Sequence, residues 1–374
     1  TARERNIPVI SELEFAARNL SIPIVAVTGT NGKTTTTSLI SAICSRAGLK
    51  APPAGNIGLP ASELIGTPID LAILEVSSFQ LEGAVTFHPK VAVLLNITPD
   101  HIDRHTTIDG YATIKKRVFQ HQRGDDFAIW NAEDPVVEKV VKGTASRSLP
   151  FHNRRANGDG ARLDGETLIA AMDGVGEVTV SMRDCKLRGR HNAENMMAAA
   201  LTTLALGIKP EIIQKVLQDF PGVPHRLETV GRWEGREFVN DSKATNPESS
   251  IVGIEALTSP NRKNVIVIAG GEDKGTSLDS WVKHVHQSVK KVILIGKAAG
   301  RFSEVLHASN YLHVTFAKTL LESLQTAMAF SEPGDIILLS PACASFDMFR
   351  NYEDRGDQFR TLVHELTTIP THAT

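Results

Sequence analysis

Residues 26–35 read Ala-Val-Thr-Gly-Thr-Asn-Gly-Lys-Thr-Thr. Gly29 and Gly32 bracket Thr30 and Asn31, and Lys33, Thr34 and Thr35 follow directly. A β-branched run over 22–27 leads in, and a helical pattern over 34–46 leads out. A strand that feeds a glycine-containing turn and then opens a helix aims backbone N–H groups and the helix N-terminus at one point, which is how a phosphate is held. In that arrangement Lys33 supplies a point charge for the β- and γ-phosphates of a nucleoside triphosphate, and the Thr34 hydroxyl is a ligand for Mg2+. The first glycine of the usual phosphate-loop pattern falls on Val27, so the turn is a variant, and a plain Gly-Asn turn before an ordinary helix is the alternative.

Four further clusters carry chemistry. Glu75-Val-Ser-Ser-Phe-Gln80 closes another apolar run. Ligands of open α/β sheets bind at the carboxyl ends of strands, so Glu75 there could hold Mg2+ directly or through water, or simply cap a helix. Asn96-Ile-Thr-Pro-Asp-His-Ile-Asp-Arg-His105 follows a third run and is dense in polar side chains. His101 and His105 stand four apart, a spacing that also suits zinc, but no third Cys or His ligand is apparent. Asp103 and Arg104 equally suit a solvated helix start. Lys115 lies one turn after Tyr111; on residue type alone it reads as a surface lysine, because an ammonium repels a metal. Toward the C-terminus, Asn240-Asp-Ser-Lys-Ala-Thr-Asn-Pro247, Gly270-Gly-Glu-Asp-Lys-Gly275 and Ser340-Pro-Ala-Cys-Ala-Ser-Phe-Asp347 each follow an apolar run. On parallel strands these loops converge on one face, where Lys243, Lys274 and Ser345 suit a small carboxylated ligand. Each alone could be a plain turn.

The elements that position these residues are short, continuous runs rich in Val, Ile and Leu: 22–27, 71–76, 91–97 and 127–130, then 237–240, 265–269, 292–295 and 336–340. Strands buried on both faces of a parallel sheet have this character. Helical patterns at 110–119, 192–206, 210–219, 280–289, 319–330 and 352–366 alternate with them. The Gly- and Asp-rich stretch 153–185 breaks the alternation and suggests hairpins that decorate the first sheet. Two prolines and a glycine in Phe220-Pro-Gly-Val-Pro224 mark the best boundary between two α/β domains.

Composition narrows the class. The chain of 374 residues is 41% hydrophobic and 22% charged, ordinary for a soluble globular protein of two domains. Forty basic against 42 acidic residues give a net charge of −2, which argues against a global pull toward nucleic acid or an anionic membrane. Three scattered cysteines without a CxxC fit free thiols in a reducing cytoplasm. No apolar run is long enough to span a bilayer.

With these residues laid out, the chain resembles the Mur ligase family. The resemblance is carried by Thr28 to Thr34, Glu75 to Leu81, Asn96 to His105, Gly189-Arg-His-Asn-Ala-Glu-Asn195, Pro224-His-Arg226, Asn240 to Pro247 and Ser340 to Phe346, in the family's order. It implies a central P-loop-type, mostly parallel α/β ATPase domain (15–222) and a Rossmann-like C-terminal α/β domain that binds an amino acid (223–374). Residues 1–14 are then the remnant of an N-terminal region that, in the family, grips uridine diphosphate. The implied reaction is ATP-dependent amide formation through an acyl phosphate, with UDP-N-acetylmuramoyl-L-alanine and D-glutamate as substrates of a cytoplasmic monomer. A related ligase that adds glutamate to folate, and a nucleotide-binding module without turnover, are the alternatives. Lys33 and the loop residues Gly29, Thr30, Asn31, Gly32, Thr34 and Thr35 would bind phosphates. Thr34 and Glu75 would hold one Mg2+, and His101 a second. Lys115 occupies the place of the family's carbamylated lysine, whose inverted charge makes it a metal ligand; Lys116 is the competing candidate. Nucleotide contacts carry over onto Asn192, Asn195, Arg226 and Asp241. D-glutamate contacts carry over onto Thr245, Lys274, Ser345 and Phe346, with Lys243 and Tyr352 beside them, and the acceptor falls to Asn56 and Ser77. ATP on one domain and the amino acid on the other imply hinge closure.

Overall fold

The computed structural model describes residues 5, 7–99, 102–152, 158–187, 189–258, 262–273 and 275–368, together with all side chains in them except Ile102 and Asp103. His101 and Lys274 lie outside the described residues. The chain divides into two compact units, Thr1–Pro221 and Gly222–Thr374.

The first unit runs α1 (Glu12–Asn19), β1 (Ile24–Thr28), α2 (Lys33–Arg46), β2 (Pro53–Gly55), β3 (Ala72–Glu75), α3 (Ser78–Glu82), β4 (Val91–Leu94), α4 (Ile102–His105), α5 (Ile108–Lys116), β5 (Phe127–Asn131), α6 (Pro135–Val141), β6 (Arg147–Phe151), β7 (Gly160–Asp164), β8 (Thr167–Met172), β9 (Gly176–Ser181), α7 (Arg190–Ala205) and α8 (Pro210–Asp219). Its strands form one sheet in the order β2-β3-β1-β4-β5-β6-β7-β8-β9. Pairing is parallel from β2 to β7, and β7, β8 and β9 are antiparallel. β1, β3 and β4 are buried at every position, which is why they read as unbroken apolar runs. Successive side chains still alternate: Val25 and Val27 join the core beneath α2 and α7, whereas Ile24 and Ala26 join the core on the opposite face, with Leu13 of α1 and Tyr111 of α5.

The second unit runs β10 (Glu228–Trp233), β11 (Arg236–Asn240), α9 (Pro247–Leu257), β12 (Val265–Gly270), α10 (Asp279–Ser288), β13 (Val289–Ile295), α11 (Ala299–Ala308), β14 (Val314–Phe316), α12 (Leu320–Phe330), β15 (Ile336–Leu339) and α13 (Tyr352–Thr368). Its sheet has the order β10-β11-β15-β12-β13-β14, antiparallel only between β10 and β11. β15 is last in sequence yet lies between β11 and β12, so the three polar loops follow neighbouring strands.

Some expectations shift. The 153–185 stretch does not merely decorate the first sheet; β7–β9 extend it, joined to β6 at Phe151–Ala161. α1 crosses the boundary expected after residue 14, because Leu13, Glu14 and Ala16 are all buried in the first unit. The pattern over 110–119 begins at Ile108 and ends as a 3-10 turn over Arg117–Phe119. Among the described residues no helix is long and apolar enough to cross a membrane. Cys44, Cys185 and Cys343 are buried and unlinked, and burial pushes their thiols up to about 11, 11 and 12.

Candidate functional site

β1 delivers the chain to the point where the first sheet's order reverses, with β3 on one side and β4 on the other. The backbone leaves Thr28, passes Gly29, and enters α2 through Gly32 at φ +86°. A Cβ on Gly32 would lie 2.3 Å from Asn195 Oδ1, so the position needs glycine for both conformation and space. α2 starts with no side-chain cap and no acidic residue of its own in its first turn. Lys33 Nζ donates to Gly29 O (2.9 Å) and Thr30 O (2.7 Å), curled over the turn. The N–H groups of Thr30 and Asn31 are engaged by Asn96, at 2.9 Å to its carbonyl and 2.8 Å to its Oδ1. Those two N–H groups therefore tie the turn to the segment that follows β4. The Thr35 hydroxyl is buried and has no hydrogen-bond partner among the described residues.

Glu75 ends β3 and is buried. Its Oε2 accepts from Thr34 Oγ1 (2.7 Å) and its Oε1 from Asn56 Nδ2 (2.9 Å). Gly55 permits this approach, since a Cβ there would lie 2.3 Å from Glu75 O. One carboxylate beside one hydroxyl is a hard oxygen pair, and the donor set fits Mg2+ that takes its other ligands from phosphate and water. No cluster of three or more His, Cys, Asp or Glu suited to a metal occurs among the described residues.

Lys115 is 1% exposed, whereas Lys116 faces solvent. The surface-lysine reading thus fails for Lys115: the helix register turns it inward with Tyr111. Its Nζ donates to Gly29 O (2.9 Å) and Thr28 Oγ1 (3.4 Å), and lies 4.5 Å from the centre of the Tyr111 ring. His105 Nε2 meets Ser78 Oγ at 2.9 Å. Arg104 pairs with Glu82, and that hydrogen bond holds the Glu82 carboxyl below its usual range. Ser77 caps α3 in a reciprocal box with Gln80. Asn195 accepts from Thr36 Oγ1 (3.2 Å), which ties α7 to α2 behind the turn, and donates to Asn192 Oδ1 (3.3 Å) within α7.

In the second unit, Asp241 is buried, accepting from Ser340 Oγ (2.9 Å) and Leu227 N (3.3 Å). Burial pushes its carboxyl up to about 7, against the pull of Ser340 and of the Arg226 charge. Arg226 Nε is buried without a partner among the described residues. Lys243 Nζ lies 5.4 Å from the centre of the Tyr352 ring. Ser345 is buried, Phe346 is 69% exposed, and Thr245 is half-buried. Arg355, which sequence reasoning passed over, is fully buried on α13. It donates to Ser242 Oγ (2.9 Å), Ser242 O (2.8 Å) and Cys343 O (3.2 Å), joining two of the three loops. Burial lowers its guanidinium to about 10. No sequence signal separates Arg355 from Arg350 or Arg360 on either side.

The two sheets and the strand–turn–helix of β1 and α2 define a P-loop-type nucleotide-binding protein with a second α/β unit. The family model of the Mur ligase middle domain matches residues 27–203, and that of the Mur ligase glutamate ligase domain matches 225–343. The chain belongs to the Mur ligase family. It is 42% identical over 367 residues to the UDP-N-acetylmuramoylalanine–D-glutamate ligase of Pelotomaculum thermopropionicum, covering 98% of this chain and 80% of that protein. It is 41% identical over 370 residues to the ligase of the same name from a Thermoanaerobacter species, covering 98% and 81%. The MurF ligase of Thermotoga maritima, solved with ADP, shares the fold at a TM-score of 0.68 and 18% identity, over 95% of this chain and 83% of that one.

Proposed function

We propose that this chain is an ATP-dependent ligase that joins D-glutamate to UDP-N-acetylmuramoyl-L-alanine, a step of peptidoglycan precursor synthesis. The observation that carries the reading is the uncapped start of α2 behind Gly32, with Lys33 folded over it and Thr34 bonded to Glu75. It is supported by 42% identity, over 98% of the chain, to a relative with that activity in its name. The acceptor's terminal carboxylate attacks the γ-phosphorus and ADP leaves. The amine of D-glutamate then attacks the acyl carbon, phosphate leaves, and the nitrogen gives up a proton. Phosphoryl transfer of this kind depends on charge neutralisation and in-line placement. Lys33 and the first-turn amides of α2 neutralise the phosphate oxygens. Thr34 and Glu75 would hold one Mg2+, which when bound neutralises the β- and γ-phosphates and fixes their geometry. Asn192, Asn195, Arg226 and Asp241 are the proposed nucleotide residues. Lys243, Thr245, Lys274, Ser345, Phe346 and Tyr352 are those proposed for the amino acid, and Asn56 and Ser77 those for the acceptor.

Lys115 Nζ makes the contacts of a donor, to Gly29 O and Thr28 Oγ1. We assign it as the site of carbamylation: its amine would bond to carbon dioxide and lose a proton, giving carboxylate oxygens able to hold a second Mg2+, for which His101 is the other proposed ligand. Burial beside Tyr111 protects such a group from bulk water.

The test is phosphate release from ATP. Release that needs both D-glutamate and UDP-N-acetylmuramoyl-L-alanine, and that Lys33→Ala abolishes, supports the assignment. Release with L-glutamate and folate instead overturns the substrates, and nucleotide binding with no release under any pairing overturns the activity.

A further inference from the structure

The β1–β4 ladder ends where Thr28 faces Leu94, yet the two chains stay joined beyond it. Leu95 N donates to Thr28 O (3.0 Å), and Thr30 N donates to Asn96 O (2.9 Å). The next rung is made by a side chain. Asn96 Oδ1 accepts from Asn31 N (2.8 Å), and Asn96 Nδ2 donates to Asn31 O (3.1 Å). Its carboxamide thus stands in for a peptide unit and satisfies both backbone groups of Asn31. Thr98 and Thr30 add a reciprocal pair: Thr30 Oγ1 donates to Thr98 O (3.2 Å) and accepts from Thr98 N (3.0 Å).

Two consequences follow from this pseudo-ladder. The peptide between Asn31 and Gly32 is fixed in direction just before the left-handed step at Gly32, and that step aims the first turn of α2. The carbonyls of Gly29 and Thr30, which receive Lys33 Nζ, are held within the same short span, and Gly29 O also receives Lys115 Nζ. The segment after β4 thus constrains the turn from outside it, through Asn96 and Thr98.

We propose that Asn96 is the positioning residue of the phosphate turn. Both polar atoms of its carboxamide are engaged by Asn31, so it acts through Asn31 and Gly32, setting where the α2 amides and Lys33 Nζ stand. This inference rests on the nucleotide-binding reading above. Only a side chain with one acceptor and one donor at the same reach can close the rung. Aspartate keeps the acceptor but turns a charge toward Asn31 O, and alanine removes both.

The experiment measures the affinity of the full chain for ADP with Mg2+, and for adenosine, by titration calorimetry. It uses the wild type, Asn96→Ala and Asn96→Asp, with thermal melting of each. In the variants ADP affinity should fall at least about tenfold while adenosine affinity stays within about twofold, because only the phosphate half of the site is disturbed. A folded variant that binds ADP as the wild type does overturns the role, as does an equal loss for ADP and adenosine, which marks a general structural defect. If Asn96→Ala fails to fold, the near-isosteric Asn96→Asp decides alone. A wild type that binds no ADP overturns the nucleotide reading itself, an outcome distinct from failure of the Asn96 role.

Discussion

The residue whose meaning changes most between sequence and structure is Lys115. By type it is a surface cation; by position it is buried, with its Nζ 2.9 Å from Gly29 O. Burial of a lysine is costly without compensation, and such positions attract chemistry that changes the charge. Lys115→Ala should lose turnover, and formate or acetate, small enough to stand in for the lost carboxylate oxygens, should restore part of it. A variant that is fully active without any added carboxylate would remove Lys115 from the reaction. Lys33, Thr34 and Glu75 were legible beforehand because each sits at a fixed offset from a strand end. Arg355 was not: its burial follows from how α13 meets the loops at 242 and 343, a contact between segments about a hundred residues apart. Asn96 was visible as part of a polar run, but nothing in the run told its carboxamide from those around it.

At the scale of elements, the strand–turn–helix from β1 to α2 depends on one backbone conformation. Gly32→Ala places a Cβ at φ +86° and 2.3 Å from Asn195 Oδ1, and a left-handed residue other than glycine costs about 1–2 kcal/mol. Loss of ADP binding beyond about tenfold, with a lowered melting temperature, is the expected result; unchanged ADP affinity would show that the turn does not face the ligand. α1 makes a different kind of prediction. Burial opposes the charge on Glu14, but donors from Thr86 Oγ1, the N–H groups of Val85 and Thr86, and Arg18 outweigh it and hold its carboxyl at about 2, against an ordinary 4.5. Because the folded value lies below the unfolded one, this stabilisation is complete above about pH 4.5 and is lost as pH falls toward 2. It is on the order of 3 kcal/mol at neutral pH. Urea unfolding should show Glu14→Gln well below the wild type at pH 7 and much closer to it at pH 3; an equal gap at both would contradict the ion's role. The apolar strands were readable as unbroken runs of Val, Ile and Leu, and helices such as α8 and α10 from the repeat of their apolar positions. β2, α3 and β14 are too short to show a period, and their pairing or caps, not their composition, create them.

At the scale of the whole chain, each unit closes its own cores on both faces of its sheet: Leu39 and Met196 on one side of the first, Leu13 and Tyr111 on the other, then Trp281 and Phe359 on the two sides of the second. Such a chain should unfold as two cooperative blocks. Scanning calorimetry is expected to need two transitions, and a single one whose calorimetric and van't Hoff enthalpies agree would contradict this. The division at Pro221 and Gly222 falls within the cluster of prolines and glycine at 220–224, and the hairpins of 153–185 do belong to the first sheet; that they continue its ladder from β6 was not legible, because composition does not say how a hairpin is joined to a sheet.

The three sheltered sulfurs make the molecule its own reporter of opening. An alkylating agent finds none of them while the protein is closed, and each becomes reactive only when its surroundings part. Cys44 and Cys185 belong to one block and Cys343 to the other. The identity of the first alkylated peptide in a mass spectrum therefore says which half of the chain breathes first, with no probe added to the protein.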